Sequence, residues 1–105
     1  MPHYKLNFDA INEKALQHSF AILRRWLPDG KIACGEYIAR NPKRQDRKAG
    51  SFKINLISGK WADFATGDKG SSFISLASYL HNLETYEAAK QLAQMLGMTG
   101  VSDDQ

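Results

Sequence analysis

The segment 50–70 constrains the fold of this chain more than any other part of the sequence. Phe52, Ile54 and Leu56 alternate with polar residues, which is the period of a strand with one buried face. A Ser-Gly turn follows, and residues 61–65 then have the composition of a returning strand. The segment therefore predicts a β-hairpin whose apolar face must be covered by another layer of structure.

Apolar residues at helical spacing precede this hairpin. They recur from 11 to 27, after a candidate N-cap at Asp9, and the Pro-Asp-Gly sequence at 28–30 ends the pattern. A short strand is predicted over 31–40. The polar stretch 41–50 has no hydrophobic period and is predicted to be a loop.

Two further helices are predicted after the hairpin. Ser71 or Ser72 can cap the first of them, and Thr85 can cap the second, which should end at Gly97. The expected fold is a single α+β domain, with a small antiparallel sheet packed against three helices. Its predicted parts are an N-terminal helix region (1–30), a β core (31–70), C-terminal helices (71–98) and a tail (99–105).

The composition is that of one small folded domain. Of its 105 residues, 43% are hydrophobic and 10% are aromatic, which is enough for one modest core. The apolar runs are shorter than the ~18 residues of a membrane span, and the start has no apolar segment like that of a signal peptide. Cys34 is the only cysteine, so no internal disulfide can form, and it is expected to pack as a small apolar residue. These features predict a cytoplasmic protein without a membrane partner.

Positive charge is concentrated in the middle of the chain. Residues 40–69 include eight basic and three acidic side chains, whereas the remainder has six basic and eight acidic ones. A one-sided basic region attracts polyanions, and phosphate backbones are the usual target. The alternative is a solvated segment whose lysines only keep the protein in solution.

The candidate binding residues of this region are those that should point outward from the strands or lie in the turn and loops at the ends of the sheet. Lys53 and Asn55 alternate with the predicted core positions and should point outward. Trp61 can stack on a base, or it can anchor the core, because the alternation leaves its face open. The predicted nucleic-acid-binding residues are Arg44, Arg47, Lys48, Lys53, Asn55, Lys60, Trp61 and Lys69.

Other patterns that could support chemistry are weaker. The loop 67–72 could hold one phosphate at a helix N-terminus, but a plain helix cap is the competing interpretation. Asp63 and Asp68 could hold a magnesium ion, although no third ligand accompanies them. The three histidines are scattered and have no ligand spacing. No catalytic residue and no cofactor is predicted.

Several short elements of the chain match one known family in order. An Asn-Pro-Lys-Arg element at 41–44 precedes a Ser-Phe strand start at 51–52, and Asp63 and Thr66 follow the second strand. A glycine-containing turn then leads into an apolar helix over 67–80. In this arrangement the chain resembles the N-terminal zinc-ribbon domain of bacterial DNA primases, in the variant carried by primase–helicase proteins of phages, plasmids and integrated elements.

The resemblance implies a domain that has lost its metal. Zinc-binding members have a Cys-Pro-x-His element and a Cys-x-x-Cys pair where this chain has Asn41, Arg44, Asp63 and Thr66. None of these four side chains offers the thiolate or imidazole that tetrahedral zinc requires. Loss of zinc removes a folding contribution on the order of 10 kcal/mol, and the sequence offers two replacements: an Arg44–Asp63 ion pair and a larger core from the flanking helices. The alternative for Arg44 and Asp63 is that they are ordinary loop residues.

The resemblance also implies a function. It implies single-stranded DNA binding, as template engagement in the replication or priming of a mobile genetic element. The domain would be a non-catalytic part of a primase or primase–helicase, with a helicase or primase catalytic domain as a candidate partner. Two alternatives remain open: an interaction module whose basic face docks on such a partner, and a small metal-dependent nuclease that uses Asp63 and Asp68.

Overall fold

The computed structural model describes residues 6–43 and 50–98 of the chain. In these residues five strands form one antiparallel sheet, in chain order, and four helices accompany it. This confirms the α+β class. The elements are α1 Phe8–Gln17, α2 Ser19–Trp26, β1 Lys31–Ala33, β2 Glu36–Ala39, β3 Phe52–Asn55, β4 Trp61–Asp63, β5 Lys69–Gly70, α3 Phe73–His81 and α4 Thr85–Met95.

The predicted N-terminal helix is divided into α1 and α2 at His18. The apolar period that buries Ile11 and Ala15 would next bring His18 or Ser19 to the core, and both are polar. The backbone leaves helical geometry at His18, and Ser19 Oγ donates to the carbonyl of Leu56 at 3.5 Å. Because of this break, the described residues form four helices and not the three that were predicted.

The helix caps differ in part from those predicted. Asn7, and not Asp9, caps α1, because its side chain accepts the N–H of Ala10. Ser72 caps α3 through a reciprocal pair of hydrogen bonds with Ser75, as one of the two predicted serines. Glu84, and not Thr85, stands at the N-cap position of α4 and makes no side-chain capping bond.

The end of α4 follows the prediction. Gly97 has a φ of 73°, and its N–H donates to the carbonyl of Gln94 at 3.1 Å. The N–H of Met98 donates to the carbonyl of Ala93 at 2.8 Å. This pair of bonds satisfies two of the last carbonyls of the helix and needs the left-handed conformation that glycine adopts most readily.

The single strand predicted over 31–40 is a hairpin of β1 and β2. Cys34 and Gly35 form its two-residue turn, with φ angles of 52° and 75°. Two consecutive positive φ values are typical of the turn whose twist matches that of the flanking strands. Cys34 is exposed in this turn, so the prediction that it packs as an apolar residue was wrong.

One face of the sheet is buried against the helices. Phe52 and Ile54 are fully buried on it, as predicted, whereas Leu56 lies beyond the end of β3 and is only partly buried. The buried residues of the sheet are Tyr37, Ala39, Phe52, Ile54, Trp61 and Asp63. The helices cover them mainly with Ile11, Ile22, Leu23, Phe73, Leu76 and Leu92.

Tyr37 fastens the sheet to the N-terminal helices. Its hydroxyl donates to the carbonyl of Leu27 at 2.6 Å. Its ring lies so close to Gly30 that a Cβ atom there would stand 2.1 Å from the ring. The glycine after α2 therefore allows the chain to enter β1 directly over the tyrosine.

Within 6–43 and 50–98, the longest apolar helical stretch falls short of what a bilayer crossing requires.

Candidate nucleic-acid interface

None of the four helices in the described residues covers the second face of the sheet, because the buried residues of the strands all point to the first face. Side chains that alternate with the buried ones point outward here, and we call this surface the outer face. Its central row crosses all five strands in register: Lys31 on β1, Ile38 on β2, Lys53 on β3, Ala62 on β4 and Lys69 on β5. Since neighbouring strands lie about 4.8 Å apart, the backbone positions of Lys31 and Lys69 each lie about 10 Å from that of Lys53, on opposite sides of it.

A second row of the outer face lies nearer the hairpin turns. Glu36 is opposite Asn55 across β2 and β3, and the N–H of Asn55 donates to the carbonyl of Lys60 at 2.7 Å. Glu36 is the only acidic residue at an outward position of the described strands. The described outer face is therefore strongly basic.

Asn55 points outward as predicted, but its side chain already has a structural role. Its Oδ1 accepts the N–H groups of Ile57 and Ser58 at 2.8 and 2.9 Å. These bonds shape the turn before Gly59, so only the amide hydrogens of Asn55 are available to a ligand.

Phe64 provides an exposed aromatic side chain on the outer face, and it was not among the predicted binding residues. It follows β4 directly, its N–H donates to the carbonyl of Ser51 at 2.8 Å, and 71% of the residue is exposed. Lys53 Nζ lies 5.7 Å from the centroid of its ring. Such a pair places a cation beside an accessible π-face.

Trp61 is buried in the core and only 5% of it is exposed. Its indole N–H donates to Ser75 Oγ at 3.0 Å. Its ring centroid lies 4.7 Å from that of Tyr79 and 6.1 Å from that of Phe52. Trp61 is therefore a core residue, which was one of the two predictions for it. Phe64 replaces it as the candidate for stacking on a base.

The remaining predicted residues fall into two groups. Lys60 and Lys69 are exposed. Arg44, Arg47 and Lys48 lie outside the described residues. Lys31 was not among the predicted residues, and its position on the outer face adds it to the candidate site.

Arg40 stands at the end of β2 on the same face. It is held in an ion pair with Asp29. An exposed pair of this kind is worth little to stability, but it occupies the guanidinium that a phosphate would need.

A polar network lies at the edge of the core, where the resemblance placed the former metal ligands. Asn41 Nδ2 donates to Asp63 Oδ2 and to the hydroxyl of Tyr79, both at 2.8 Å. The tyrosine hydroxyl in turn donates to Asp68 at 2.7 Å. The network joins the segment after β2 to β4 and α3, so two of the four predicted positions, Asn41 and Asp63, are brought together. The predicted Arg44–Asp63 ion pair involves a residue outside the described ones.

Tyr79 has an altered protonation equilibrium in this network. Partial burial and then the hydrogen bond to Asp68 raise its pKa, while the hydrogen bond from Asn41 acts in the opposite direction. The nearby negative charges of Asp68 and Asp63 add to the increase. The phenol is therefore held in its neutral form.

The residues after β4 form a tight turn that fixes Phe64. The N–H groups of Thr66 and Gly67 both donate to the carbonyl of Asp63, at 3.2 and 2.8 Å. Asp63 Oδ1 accepts the N–H of Ala65 at 2.9 Å. The buried aspartate thus organises the turn that exposes the aromatic ring.

The sequence also suggested a magnesium site at Asp63 and Asp68 and a phosphate site at the start of α3. In the described residues, no group of three or more His, Cys, Asp or Glu side chains is arranged to hold a metal ion. At the start of α3, the N–H of Ser75 donates to Ser72 Oγ and that of Ile74 to Asn12 Oδ1. These amides are already bonded, so this helix start has the geometry of a cap.

No model of a known protein family matches this chain, and no curated protein matches it in sequence.

Proposed function

We propose that this domain binds single-stranded DNA on the outer face of its sheet. The observation that carries the proposal is the exposed Phe64 ring beside Lys53, at the edge of a row that also includes Lys31 and Lys69. The lysines would neutralise phosphates, and the ring would stack on a base.

Single-stranded nucleic acid suits this surface better than a duplex. A ring that stands on a sheet can stack only on a base whose face is accessible, and the bases of a duplex are stacked on one another. Phosphate contacts and stacking together predict binding with little sequence preference.

The biological setting of the proposal comes from the resemblance to primase N-terminal domains. It suggests template engagement in DNA replication or priming of a mobile genetic element, next to a helicase or primase catalytic domain. The Asn41–Asp63 hydrogen bond supports a metal-free variant of that architecture, because it links the two segments that supply zinc ligands in the family. In this proposal the domain is a non-catalytic accessory module.

The direct test is fluorescence anisotropy with labelled single-stranded and duplex oligonucleotides over a range of salt concentrations. The single strand should bind more tightly, and log Kobs should fall with log salt by about 0.7 for each phosphate contact. Lys53→Ala should weaken binding and flatten the slope by about one such step. Lys90→Ala removes the same charge from an exposed position on α4 and should leave both quantities unchanged.

Two results would contradict the proposal. One is equal affinity of the parent protein for duplex and single strand. The other is an equal loss of affinity in Lys53→Ala and Lys90→Ala, which would show that only net charge matters. Circular dichroism of each variant checks that the fold is intact.

A further inference from the structure

The first strand of the sheet has an edge without a partner. β1 is an outermost strand, and it pairs only with β2 in the part of the chain that the structure describes. Ala33 and Glu36 flank the two-residue turn between them, and in such a hairpin this pair is hydrogen-bonded. Because bonded and non-bonded pairs alternate along an antiparallel ladder, the N–H and C=O groups of Ile32 point away from β2. Within β1, the free edge therefore presents one donor and one acceptor.

Apolar side chains accompany this edge. Ile32 lies opposite Tyr37, on the face of the sheet that the helices cover, yet 51% of it is exposed. Phe20 on α2 is 50% exposed and meets the same Tyr37 ring edge-on, with ring centroids 6.3 Å apart. All inward residues of β2, β3 and β4 are buried. The helical cover therefore ends at β1 and leaves apolar surface beside its free edge.

We infer that β1 pairs antiparallel with β1 of a second copy of this chain, about a two-fold axis at Ile32. The two Ile32 residues would exchange two main-chain hydrogen bonds and bring their apolar side chains together. The five-stranded sheet of one copy would then continue into that of the other.

A second copy suits this edge better than a flexible peptide. Fixing the backbone of a peptide costs free energy at every residue, and this short edge offers only two hydrogen bonds in return. The β1 strand of a second copy is already held in extended form by its own hairpin with β2. The cost of ordering the partner is therefore largely avoided.

Charge and backbone conformation select this register over the neighbouring ones. An axis at Lys31 would place two lysines directly opposite each other, which is unfavourable. An axis at Ala33 would pair Ile32 with Cys34, whose φ of 52° is not that of a strand. The axis at Ile32 avoids both conflicts.

The register at Ile32 also brings opposite charges together on the outer face. Lys31 of one copy would lie opposite Ala33 of the other, with Glu36 next to that alanine on β2. The backbone positions of Lys31 and Glu36 would be about 10 Å apart, or two strand spacings, and both side chains are long enough to meet over the small alanine. Within its own chain, neither side chain has an ion-pair partner among the described residues. The two-fold axis would form this pair twice.

The dimer would join the outer faces of two copies on the same side of one sheet, because the axis is perpendicular to the sheet. The value of this larger surface for DNA rests on the proposed function. The pairing of β1 does not, so the oligomeric state is measured without DNA and the two proposals can fail separately.

Analytical ultracentrifugation over a range of protein concentrations tests the inference. The interface is smaller than that of a standard complex, so we expect a monomer–dimer equilibrium with a Kd on the order of 10–100 μM. Amide hydrogen exchange followed by NMR tests the register. The Ile32 amide should exchange several-fold more slowly as the concentration rises through the Kd, because its N–H becomes bonded.

The variants make the test specific to β1. Ile32→Lys places like charges at the axis and should abolish the dimer. Tyr86→Lys is the matched control, since Tyr86 is 47% exposed on α4, and it should change the Kd by less than about twofold. Lys31→Glu and Glu36→Lys should each weaken the dimer by at least about fivefold, and the double variant should restore the Kd to within about threefold. Circular dichroism checks that each variant is folded.

Several results would overturn the inference. A monomer at every concentration would do so, as would equal effects of Ile32→Lys and Tyr86→Lys. A dimer in which the Ile32 amide gains no protection, or which the double variant does not restore, would show that another surface forms it. Masses that grow beyond two copies would show head-to-tail pairing of β1 with the opposite edge, β5, in place of the two-fold arrangement.

Discussion

Phe64 and Trp61 are three residues apart and have opposite environments. Strand alternation turns Trp61 towards the helices, and the turn that Asp63 organises leaves Phe64 in solvent. An exposed phenylalanine gains nothing from burial within its own domain. The proposed role in DNA binding would explain why this ring is exposed beside Lys53.

Phe64→Ala should weaken single-stranded DNA binding without unfolding the protein. One base stacked on an aromatic ring is worth about 1–3 kcal/mol, or roughly 5- to 150-fold in affinity. The measurement is anisotropy, with urea denaturation to follow stability. Tyr86→Ala removes another exposed aromatic ring, on the helical side, and should leave DNA affinity unchanged.

Trp61→Ala is the contrasting variant. Removing this buried ring should lower the free energy of unfolding by about 3–5 kcal/mol. If Phe64→Ala were the destabilised variant and bound DNA normally, the roles assigned to the two aromatic residues would be wrong.

Tyr79 should make stability fall at alkaline pH. Because its pKa is raised in the folded state, the phenol stabilises the fold fully below its unfolded pKa of about 10. This contribution is lost as the pH rises above 10 and through the folded pKa.

The measurement is urea denaturation from pH 8 to 11, for the parent and for Tyr79→Phe. The variant should be less stable by about 1 kcal/mol at pH 8, since it loses hydrogen bonds, and this difference should shrink as the pH rises. A difference that stays constant across the range would show that Tyr79 does not titrate differently in the folded state.

At the scale of the elements, the sheet is a meander in which each strand pairs with the next along the chain. Sequential antiparallel pairing needs only short connections, and it leaves one face to the helices and the other to solvent. β3 lies at the centre of the sheet, and both of its inward residues, Phe52 and Ile54, are fully buried.

Ile54→Ala and Leu56→Ala should therefore differ in cost. Ile54 is fully buried at the centre of β3, and its truncation should cost about 2–5 kcal/mol. Leu56 lies past the end of the strand and is partly exposed, so the same change there should cost less. Chemical denaturation of both variants measures this, and an equal or larger cost for Leu56→Ala would show that the end of β3 is packed differently.

At the scale of the whole molecule, the helical core and the Asn41–Asp63–Tyr79 network hold together the segment after β2, the end of β4 and helix α3. Helix α1 packs against both α3 and α4, so the helices and the inner face of the sheet form one continuous core.

The purified protein should contain no stoichiometric zinc, and a strong chelator should not change its melting temperature. The reason is that Asn41, Arg44, Asp63 and Thr66, the four positions that the resemblance aligns with zinc ligands, include no thiolate and no imidazole. Elemental analysis and thermal denaturation with and without chelator measure this. One zinc per chain, or melting lowered by the chelator, would contradict the prediction.

The sequence by itself determined the features that depend on neighbouring residues. Alternation placed Phe52 and Ile54 in the core, the serines before Phe73 capped α3, and Gly97 ended α4, because strand period and helix capping act over a few residues. The same local rules predicted a small antiparallel sheet covered by helices.

Only the tertiary structure decided the features that depend on distant contacts. The break at His18 follows from the way the two N-terminal helices cover the sheet, and the assignment of Trp61 to the core follows from its contacts with Tyr79 and Ser75. Asn41 and Asp63 meet because β2 and β4, which lie on either side of β3, end at the same edge of the sheet. A local sequence pattern does not tell which residue of a distant segment will be in contact. The free energy gained from burial and hydrogen bonding between distant segments selects one arrangement among those that the local patterns allow.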